Sequence, residues 1–378
     1  MTSATLTKPT KASAANTHDS IVYIGRFQPF HNAHMATILR ALELAPKVVI
    51  VIGSANQPRD EENPFTQEER ENVIRKALID HAGDVELVRR VSFVAVENNI
   101  YSNAGWALDV ITQVEPHLTG EKVGIIGHNK DESSFYLTMF PQWETINQPL
   151  VEILDATTIR NLYFSPKRNT KFFQAVVPES VVEFLEQFHT KPEYQDIVES
   201  AEYIAKYKKQ FEHLPYPISF NTGDAIVFKS NHVLMIRRKA NPGKGLLAFP
   251  GGFLNALDKV NGKGKLIKAD SSMLACAIRE LYEETKIDLP EAMIVGSIVE
   301  EKIFDAVKRS RRGRVITTAQ IIVLPEDGRG LPKVKGSDDA LEAIWVPIHK
   351  LTRIMCFEDH FDMLKYAIAV YQKNQKTK

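Results

Sequence analysis

The sequence is poor in cysteine and has no long apolar run, and both absences narrow the classes of protein to which it can belong. Only two of its 378 residues are cysteines, Cys276 and Cys356, and they do not have a metal-binding spacing. Cys276 follows the apolar residues 273–275, so we expect a buried, unreactive thiol, and this cysteine usage suits a reducing cytoplasm. Because no run of about 18 apolar residues occurs, the sequence predicts no membrane span.

The chain also lacks an excess of charge of either sign. Its 47 basic and 47 acidic residues cancel, so the total gives no argument for a nucleic-acid or membrane partner. Residues 1–18 are rich in Thr, Ser, Ala and Lys without an apolar core, which favours a disordered tail over a secretory signal. The sequence leaves the oligomeric state open, a homo-oligomer included.

Residues 19–189 alternate short apolar runs with stretches of helical periodicity. We expect strands at Ile21–Ile24, Val48–Ile52, Val91–Val96 and Lys122–Ile126, and helices at Met35–Leu44, Glu68–Leu78, Ala104–Val114 and Pro178–Phe188. Strands alternating with helices predict an α/β domain with a parallel sheet, in which ligands bind at the carboxyl ends of the strands.

The pattern of apolar residues changes after a charged, helical connector at residues 190–215. Residues 216–378 carry short β-rich runs at Ala225–Phe228, Val233–Ile236, Ile294–Val299, Val315–Leu324 and Ile344–Val346. One strong helical pattern, Ser271–Lys286, lies among them. We therefore predict a second domain of α+β class.

The first candidate site lies between the first predicted strand and helix, at residues 25–34. His31 and His34 are three apart, so they share a face if both occupy the first helical turn. The backbone N–H groups and the helix dipole already favour phosphate there, and two imidazoles with Arg26 would add donors. The alternative is that one histidine only caps or packs the helix.

The stretch GRFQPFHNAH resembles the signature of the nucleotidyltransferase superfamily, His/Thr-x-Gly-His, in its nicotinamide-mononucleotide adenylyltransferase branch. Ala33 stands where the family usually has Gly. Further blocks that resemble the family lie at Gly53–Ala55, Asn63–Arg70, Gly127–Asp131 and Asp155–Arg160. In the last block Asp155 and Ala156 replace the usual serines, which puts their hydroxyl contacts in doubt.

This resemblance implies a Rossmann-like domain that transfers an adenylyl group from ATP to nicotinamide mononucleotide, giving NAD and pyrophosphate, with Mg²⁺ or Mn²⁺ bridging the phosphates. The implied catalytic donors are His31, His34 and Arg160. The implied substrate-binding residues are Gly25, Arg26, Phe27, Gly53, Ser54, Trp106, Gly127, Lys130 and Thr157. Trp106 either stacks on the nicotinamide ring or belongs to the core of its helix.

The second candidate site is the string Arg279–Glu284. On a helix Glu280, Glu283 and Glu284 converge on one face, where their mutual repulsion would be relieved by a hard divalent cation. The alternative for this string alone is a solvated acidic face. With Phe249–Phe253 upstream, it resembles the Nudix box, whose glutamates bind magnesium while water splits a pyrophosphate linkage.

The Nudix resemblance implies Arg279 and Glu283 as catalytic residues and Gly252, Glu280, Glu283 and Glu284 as metal-binding residues. Arginines would then supply charge against the diphosphate of a substrate such as ADP-ribose, namely Arg237, Arg238 and Arg314, with Arg309 a further candidate. The alternative for each of these arginines is a simple surface cation. Two departures stand out: Lys286 replaces the box glycine, and the insertion Asp258–Lys268 roughly doubles the spacing between Gly252 and Arg279. We expect Asp270 to replace the acid that orients the arginine.

Both halves together resemble a bifunctional enzyme of pyridine-nucleotide metabolism. Two alternatives stay open: a C-terminal half that senses a dinucleotide without hydrolysing it, and two enzymes acting on another mononucleotide and another nucleoside diphosphate. Several acids are candidates for the hydrolytic base.

Overall fold

The computed structural model describes residues 16–83, 85–128, 132–149, 155–165, 168, 170–260, 264 and 266–377. The chain divides into two compact units, Met1–Val198 and Glu199–Lys378. Within the described ranges, no helix combines the length and the apolar composition needed to cross a membrane.

The first unit is built on a five-stranded sheet in which all neighbouring strands run parallel. In chain order its strands are β1 (Ser20–Gly25), β2 (Lys47–Ile52), β3 (Val91–Ala95), β4 (Val123–Gly127) and β5 (Glu144–Asn147). Its helices in the described residues are α1 (Asn32–Leu44), α2 (Gln67–Ala82), α3 (Val85–Arg89), α4 (Asn103–Val114), α5 (Ala156–Tyr163), α6 (Thr170–Val176) and α7 (Glu179–His189). The strand order is β3-β2-β1-β4-β5.

Both faces of this sheet are buried, which explains why its strands read as continuous apolar runs. Ile21 and Tyr23 belong to the cluster formed with α1, α2 and α7, whereas Val22 and Ile24 belong to the cluster formed with α4. Helices therefore cover the sheet on both sides, and the predicted Rossmann-like class is confirmed.

Helix α8 (Pro192–Lys209) occupies most of the expected connector, and its residues from Glu199 onward belong to the second unit. That unit contains the strands β6 (Ser219–Lys229), β7 (His232–Arg238), β8 (Leu247–Ala248), β9 (Gly251–Phe253), β10 (Lys259–Val260), β11 (Leu266–Ile267), β12 (Ile298–Phe304), β13 (Arg314–Val323) and β14 (Ala340–Pro347). Its further helices in the described residues are α9 (Met273–Thr285), α10 (Glu291–Gly296) and α11 (His360–Thr377).

The main sheet of the second unit is mixed and has the order β12-β13-β6-β7-β14, with β8 beside β7 and β9 beside β6. Strands β13 and β6 are parallel, and the other pairs are antiparallel. Ala225 and Val227 pack towards α9, whereas Ile226 and Phe228 pack towards α11. The predicted α+β class is confirmed, with the sheet between two helices.

The apolar run Ile294–Val299, expected as one strand, is divided in the structure. Its first part completes α10, and β12 begins only at Ile298. Ser297 separates the two elements as the C-cap residue of α10, and its Oγ donates to the carbonyl of Met293 at 2.7 Å. The insertion also has a structure of its own, since β10 and β11 pair as an antiparallel hairpin.

Candidate active sites

The first site lies where the strand order of the parallel sheet reverses. From β1 the chain proceeds to β2 on one side, while β4 and β5 lie on the other side. Such a switch point leaves a crevice beyond the carboxyl ends of the two central strands. Gly25 ends β1 and Gly127 ends β4, so the carboxyl ends of these two neighbouring strands border the crevice.

The two histidines of the first motif lie together at the start of α1. His31 is the N-cap residue, and its backbone N–H donates to Nδ1 of His34 at 3.3 Å. The imidazole rings stack with their centroids 3.6 Å apart. His31 is 5% exposed and His34 is half-buried, so His34 presents the larger accessible surface of the pair.

Aromatic packing holds the histidine pair in place. Phe27, expected to contact substrate, has a positive φ of 53° and is only 1% exposed. Its ring packs against His34 at 5.0 Å, and Phe30 stacks on His34 at 5.8 Å. A side chain at Gly25 would meet the Phe27 ring at 2.7 Å. The Phe27 side chain therefore supports the imidazoles from the core, and glycine at 25 makes room for it.

Arg160, expected as a phosphate donor, is 4% exposed and directs its guanidinium at protein acceptors. It donates to the carbonyl of Gln28 at 2.7 Å, to that of Glu61 at 3.0 Å and to Thr157 Oγ1 at 3.2 Å. In this structure Arg160 therefore ties α5 to the loop that follows β1. Asp155, which replaces a family serine, caps α5 by accepting from the N–H of Thr158 at 2.8 Å.

Arg70 has a comparable role, and the sequence named it only as part of the block Asn63–Arg70. Buried to 3% exposure, it donates to the carbonyls of Arg26 and Gly53, each at 2.7 Å, and to that of Ser54 at 3.2 Å. Burial, and next the positive charge of Arg26, lower the pKa of Arg70 to about 10. Arg70 thus fixes the carboxyl ends of β1 and β2, while Arg26 itself is exposed.

The other expected contacts of the first unit lie at several strand and helix ends. The Gly53 N–H donates to the carbonyl of Gly25 at 2.9 Å, and Ser54 Oγ donates to Asn98 at 3.0 Å. Thr157 is exposed on the first turn of α5. Lys130 lies outside the described residues.

Trp106 lies in the first turn of α4 and is half-buried. Its ring packs on Tyr136 and Phe140, with centroids 6.5 and 6.1 Å away. One side of the indole therefore belongs to the core, and the exposed remainder is what a ligand ring would contact.

In the second unit, Arg279 is the centre of a network of carboxylates. It donates to both oxygens of Asp270 at 2.8 Å, to Glu280 at 2.7 Å and to Glu283 at 2.9 Å. The hydrogen bonds from Arg279 hold the pKa of Asp270 below its ordinary value. The expectation that Asp270 orients this arginine is confirmed.

The glutamates of α9 have unequal environments. Burial raises the pKa of Glu280 to about 7, against the opposing effect of Arg279. Burial likewise raises the pKa of Glu284 to about 9, although its carboxylate accepts from the N–H of Gly251 at 3.0 Å. The Glu283 side chain is 43% exposed. Two of the three acids are therefore costly to ionise unless a cation lies beside them.

Two backbone positions, Gly252 and Lys286, determine how the Nudix-like loop approaches α9 and how that helix ends. A Cβ atom at Gly252 would lie 2.3 Å from Oε1 of Glu280, so only glycine permits this approach. At the other end of α9, Lys286 has a left-handed φ of 46° and is the C-cap residue. Lysine thus adopts the conformation for which a glycine is usual at this point.

A cleft of about 620 Å³ opens beside these acids. Arg238 and Arg312 line it, and both guanidinium groups lie over the ring of Phe357, at 4.1 and 5.7 Å from its centroid. Burial, and next the charge of Arg312, lower the pKa of Arg238. Arg312 was not predicted, and its only sequence signal is the basic run that precedes β13.

Three other arginines considered in the sequence have protein partners. Arg309 is 5% exposed and binds Asp359 through two contacts of 2.9 Å, so it serves as a buried structural ion pair. Arg237 bonds to Glu342 at 2.6 Å and to the carbonyl of Gly245 at 2.9 Å. Arg314 donates to the carbonyl of Asp305.

Two buried titratable groups at the cleft, Asp224 and His360, were not among the predicted site residues. Asp224 accepts a hydrogen bond from the Thr317 hydroxyl, and burial raises its pKa to about 6. His360 accepts at Nδ1 from the N–H of Phe249 at 3.0 Å, and burial lowers its pKa far below the ordinary range. Cys276 is fully buried, as expected, and burial raises the pKa of its thiol to about 12.

Among the described residues, no three His, Cys, Asp or Glu side chains are grouped closely enough to hold a metal ion as they stand. The physical reason is that Arg279 bonds Glu280 and Glu283, while Glu284 is bonded to backbone. The donor set nevertheless fits a hard divalent cation, because Glu280, Glu283 and Glu284 all line the cleft and burial disfavours the charged forms of Glu280 and Glu284.

Comparison with known proteins divides the chain in the same way. A family described as Cytidylyltransferase-like matches residues 22–133, and the NUDIX domain family matches residues 222–366. The first part of the chain is similar to a nicotinamide/nicotinic acid mononucleotide adenylyltransferase of Acinetobacter baylyi. The two are 36% identical over 181 residues, which cover 47% of this chain and 91% of the relative.

Two solved structures are similar to almost the whole chain. One is described as a bifunctional NMN adenylyltransferase/ADP ribose pyrophosphatase from Francisella tularensis. It is 31% identical with a TM-score of 0.80, and the match covers 93% of this chain and 99% of that one. The other, described as the same kind of protein complexed with AMP and a manganese ion, is 29% identical with a TM-score of 0.77 and the same coverage.

Proposed function

The chain belongs to the family of bifunctional NMN adenylyltransferase/ADP-ribose pyrophosphatases, and from this premise we propose a reaction for each unit. The first unit transfers the adenylyl group of ATP to nicotinamide mononucleotide, releasing NAD and pyrophosphate. The second unit hydrolyses ADP-ribose to AMP and ribose 5-phosphate. We assign the first reaction to residues 19–189, the second to residues 216–378, and a linking role to residues 190–215, of which those from Glu199 onward also belong to the second unit.

Adenylyl transfer requires little covalent chemistry from the protein. A phosphate oxygen of the mononucleotide attacks the α-phosphorus of ATP, and the bond to pyrophosphate breaks on the opposite side. The protein must hold the two nucleotides in line and stabilise the charge that moves to the leaving group. The observation that carries this proposal is the stacked pair His31 and His34 at the sheet's switch point. We propose Arg26 as an additional phosphate donor, since it is exposed at the start of the loop between β1 and α1.

The acceptor specificity is tested with a panel of mononucleotides incubated with ATP and Mg²⁺. The panel contains nicotinamide, nicotinic acid, adenosine, cytidine and flavin mononucleotides, and pyrophosphate release is measured for each. We expect the fastest release with nicotinamide mononucleotide, together with NAD. If no NAD forms, the proposed reaction of the first unit is wrong.

For hydrolysis, we propose that Glu280, Glu283, Glu284 and the backbone of Gly252 hold Mg²⁺, with Mn²⁺ also accepted. A cation held by these residues would neutralise charge on the diphosphate and lower the pKa of the attacking water. Arg279 orients the glutamates, and the cleft arginines Arg238 and Arg312 stabilise the negative charge of the diphosphate.

The same geometry has a second interpretation, in which the second unit binds a dinucleotide without cleaving it. This interpretation is favoured by the ion pairs of Arg279 with Glu280 and Glu283, because these two acids are then already neutralised without a metal ion. Glu283→Gln decides between the two: a hydrolase loses most ADP-ribose cleavage, whereas a sensor shows only background cleavage before and after the change. Glu291→Gln, an exposed glutamate on α10, is the matched control and should leave cleavage unchanged.

A further inference from the structure

The cleft of the second unit is lined by four phenyl or phenol side chains, and their surroundings differ. Phe249 is 1% exposed and Phe357 is 4% exposed, so neither offers a face to a ligand. Phe253 is half-buried, and the guanidinium of Arg312 lies 5.2 Å from its ring centroid. Tyr203, in contrast, is 45% exposed. Among these four rings Tyr203 is therefore the one with the most surface available for stacking.

Tyr203 comes from α8, outside the Nudix-like sheet, but that part of α8 is anchored on it. Tyr207 lies one turn further along the same face and packs on Phe220 with ring centroids 5.8 Å apart. Phe211 packs on Phe220 at 5.1 Å, and Phe220 in turn contacts Phe253 at 5.6 Å. This chain of aromatic contacts fixes the helix beside the cleft, so Tyr203 is held at a defined place.

We infer that Tyr203 is the stacking surface for the aromatic base of the nucleoside diphosphate, whose phosphates face Arg238 and Arg312. The inference rests on the proposed hydrolysis by the second unit. Its chemical basis is that the cleft lining includes acids, guanidinium groups and the ring of Tyr203, which is more exposed than the three phenyl rings. An aromatic base is stabilised by stacking on the flat face of a ring, and the phenol ring of Tyr203 has the most exposed surface for this contact. Stacking of a base on an aromatic side chain corresponds to roughly 5- to 150-fold in binding.

The test compares Tyr203→Ala and Tyr203→Phe in the full chain. Steady-state hydrolysis of ADP-ribose gives KM and kcat, and inhibition of that hydrolysis gives Ki for AMP, which carries the base, and for ribose 5-phosphate, which lacks it. We expect Tyr203→Ala to raise KM for ADP-ribose and Ki for AMP by about 5- to 150-fold. Ki for ribose 5-phosphate and kcat should stay within about threefold, and Tyr203→Phe should resemble the unchanged protein.

Tyr216→Ala is the matched control, because Tyr216 is 79% exposed in the same unit and does not line the cleft. It should leave every constant unchanged. An unchanged Ki for AMP in Tyr203→Ala, or equal weakening of AMP and ribose 5-phosphate, would overturn the inference. If the unchanged protein does not cleave ADP-ribose, the proposed reaction fails instead. Calorimetric binding of ADP-ribose to the unchanged protein and to Tyr203→Ala then decides the role of Tyr203: weaker binding by the variant supports it, and equal binding refutes it.

Discussion

Asp270→Asn is expected to weaken hydrolysis through Arg279 without touching the substrate. Asp270 accepts from Nε and Nη2 of Arg279, and its Oδ2 also accepts from the N–H of Asn255, each at 2.8 Å. The Asp270 side chain is 5% exposed, so solvent cannot replace it readily. Asparagine removes the negative charge and turns one of the two acceptors into a donor that faces a guanidinium N–H.

The expected magnitude follows from the remaining partners of Arg279. Without Asp270, its positive charge is compensated only by Glu280 and Glu283, and both pairings compete with a divalent cation. Loss of a residue that orients metal ligands costs roughly 10- to 100-fold in metal affinity or activity, about 1.4–2.7 kcal/mol. We expect kcat/KM for ADP-ribose to fall by this factor at limiting Mg²⁺ and to recover in part at high Mg²⁺.

The assay is ADP-ribose hydrolysis over a Mg²⁺ titration, with adenylyl transfer measured in the same preparation. Asp258→Asn is the control, since Asp258 is exposed at the other end of the same insertion and accepts only a backbone N–H in the hydrogen bonds described, from Ala269 at 2.7 Å. Its hydrolysis should stay within about twofold. If Asp270→Asn behaves like Asp258→Asn at every Mg²⁺ concentration, Arg279 does not depend on this carboxylate.

Three further outcomes are expected. His34→Ala should lower adenylyl transfer by one or two orders of magnitude, about the effect of losing one charge-stabilising donor, and leave hydrolysis intact; equal transfer by the variant would make the histidine structural. Gly252→Ala should abolish most hydrolysis but not transfer, because the new methyl group would lie 2.3 Å from Glu280 Oε1; full hydrolysis would contradict that approach. Because Glu280 and Glu284 have pKa values raised to about 7 and 9 in the folded chain, their protonated forms favour folding. That stability is complete below the ordinary glutamate pKa and is lost as pH rises towards 9. Calorimetry without metal should therefore show a falling Tm over pH 5–9 and a larger gain from Mg²⁺ at pH 9 than at pH 6, and a pH-independent gain would refute this.

The sequence predicted the features that depend on local spacing. The histidines of the first motif lie together at the start of α1, and the glutamates of α9 share a face. Both follow because residues three or four positions apart lie on the same face of a helix. The apolar runs likewise identified β1 to β4. Strand β5 was missed because its side chains are mostly exposed and polar, so the edge of the sheet has no hydrophobic signal.

The roles of individual arginines could not be predicted in the same way. Arg160 bonds to Gln28 across 132 residues, and Arg309 bonds to Asp359 across 50 residues. Such partners are brought together only by the fold, so sequence alone does not separate a structural arginine from one that faces a ligand. Arg312 and Arg309 are three residues apart in one basic stretch, yet the first lines the cleft beside Phe357 while the second is held by Asp359.

The insertion shows how a departure from the family spacing is accommodated. Asp270 N–H donates to the carbonyl of Asn255 at 2.8 Å, which closes the base of the insertion. The hairpin of β10 and β11 lies between these two residues. As a result Asp270 lies just before α9, where it binds Arg279. This cross-connection compensates for the doubled spacing, and the linear sequence contains no local signal for it.

The most direct test of two phosphate-handling sites in one chain is a single ³¹P NMR experiment. The purified chain is incubated with ATP, nicotinamide mononucleotide, ADP-ribose and Mg²⁺, and all phosphorus signals are followed together. We predict that signals of NAD and pyrophosphate appear as those of ATP and the mononucleotide fall, while ADP-ribose gives AMP and ribose 5-phosphate. Persistence of the mononucleotide or of ADP-ribose would contradict the site assigned to the corresponding unit.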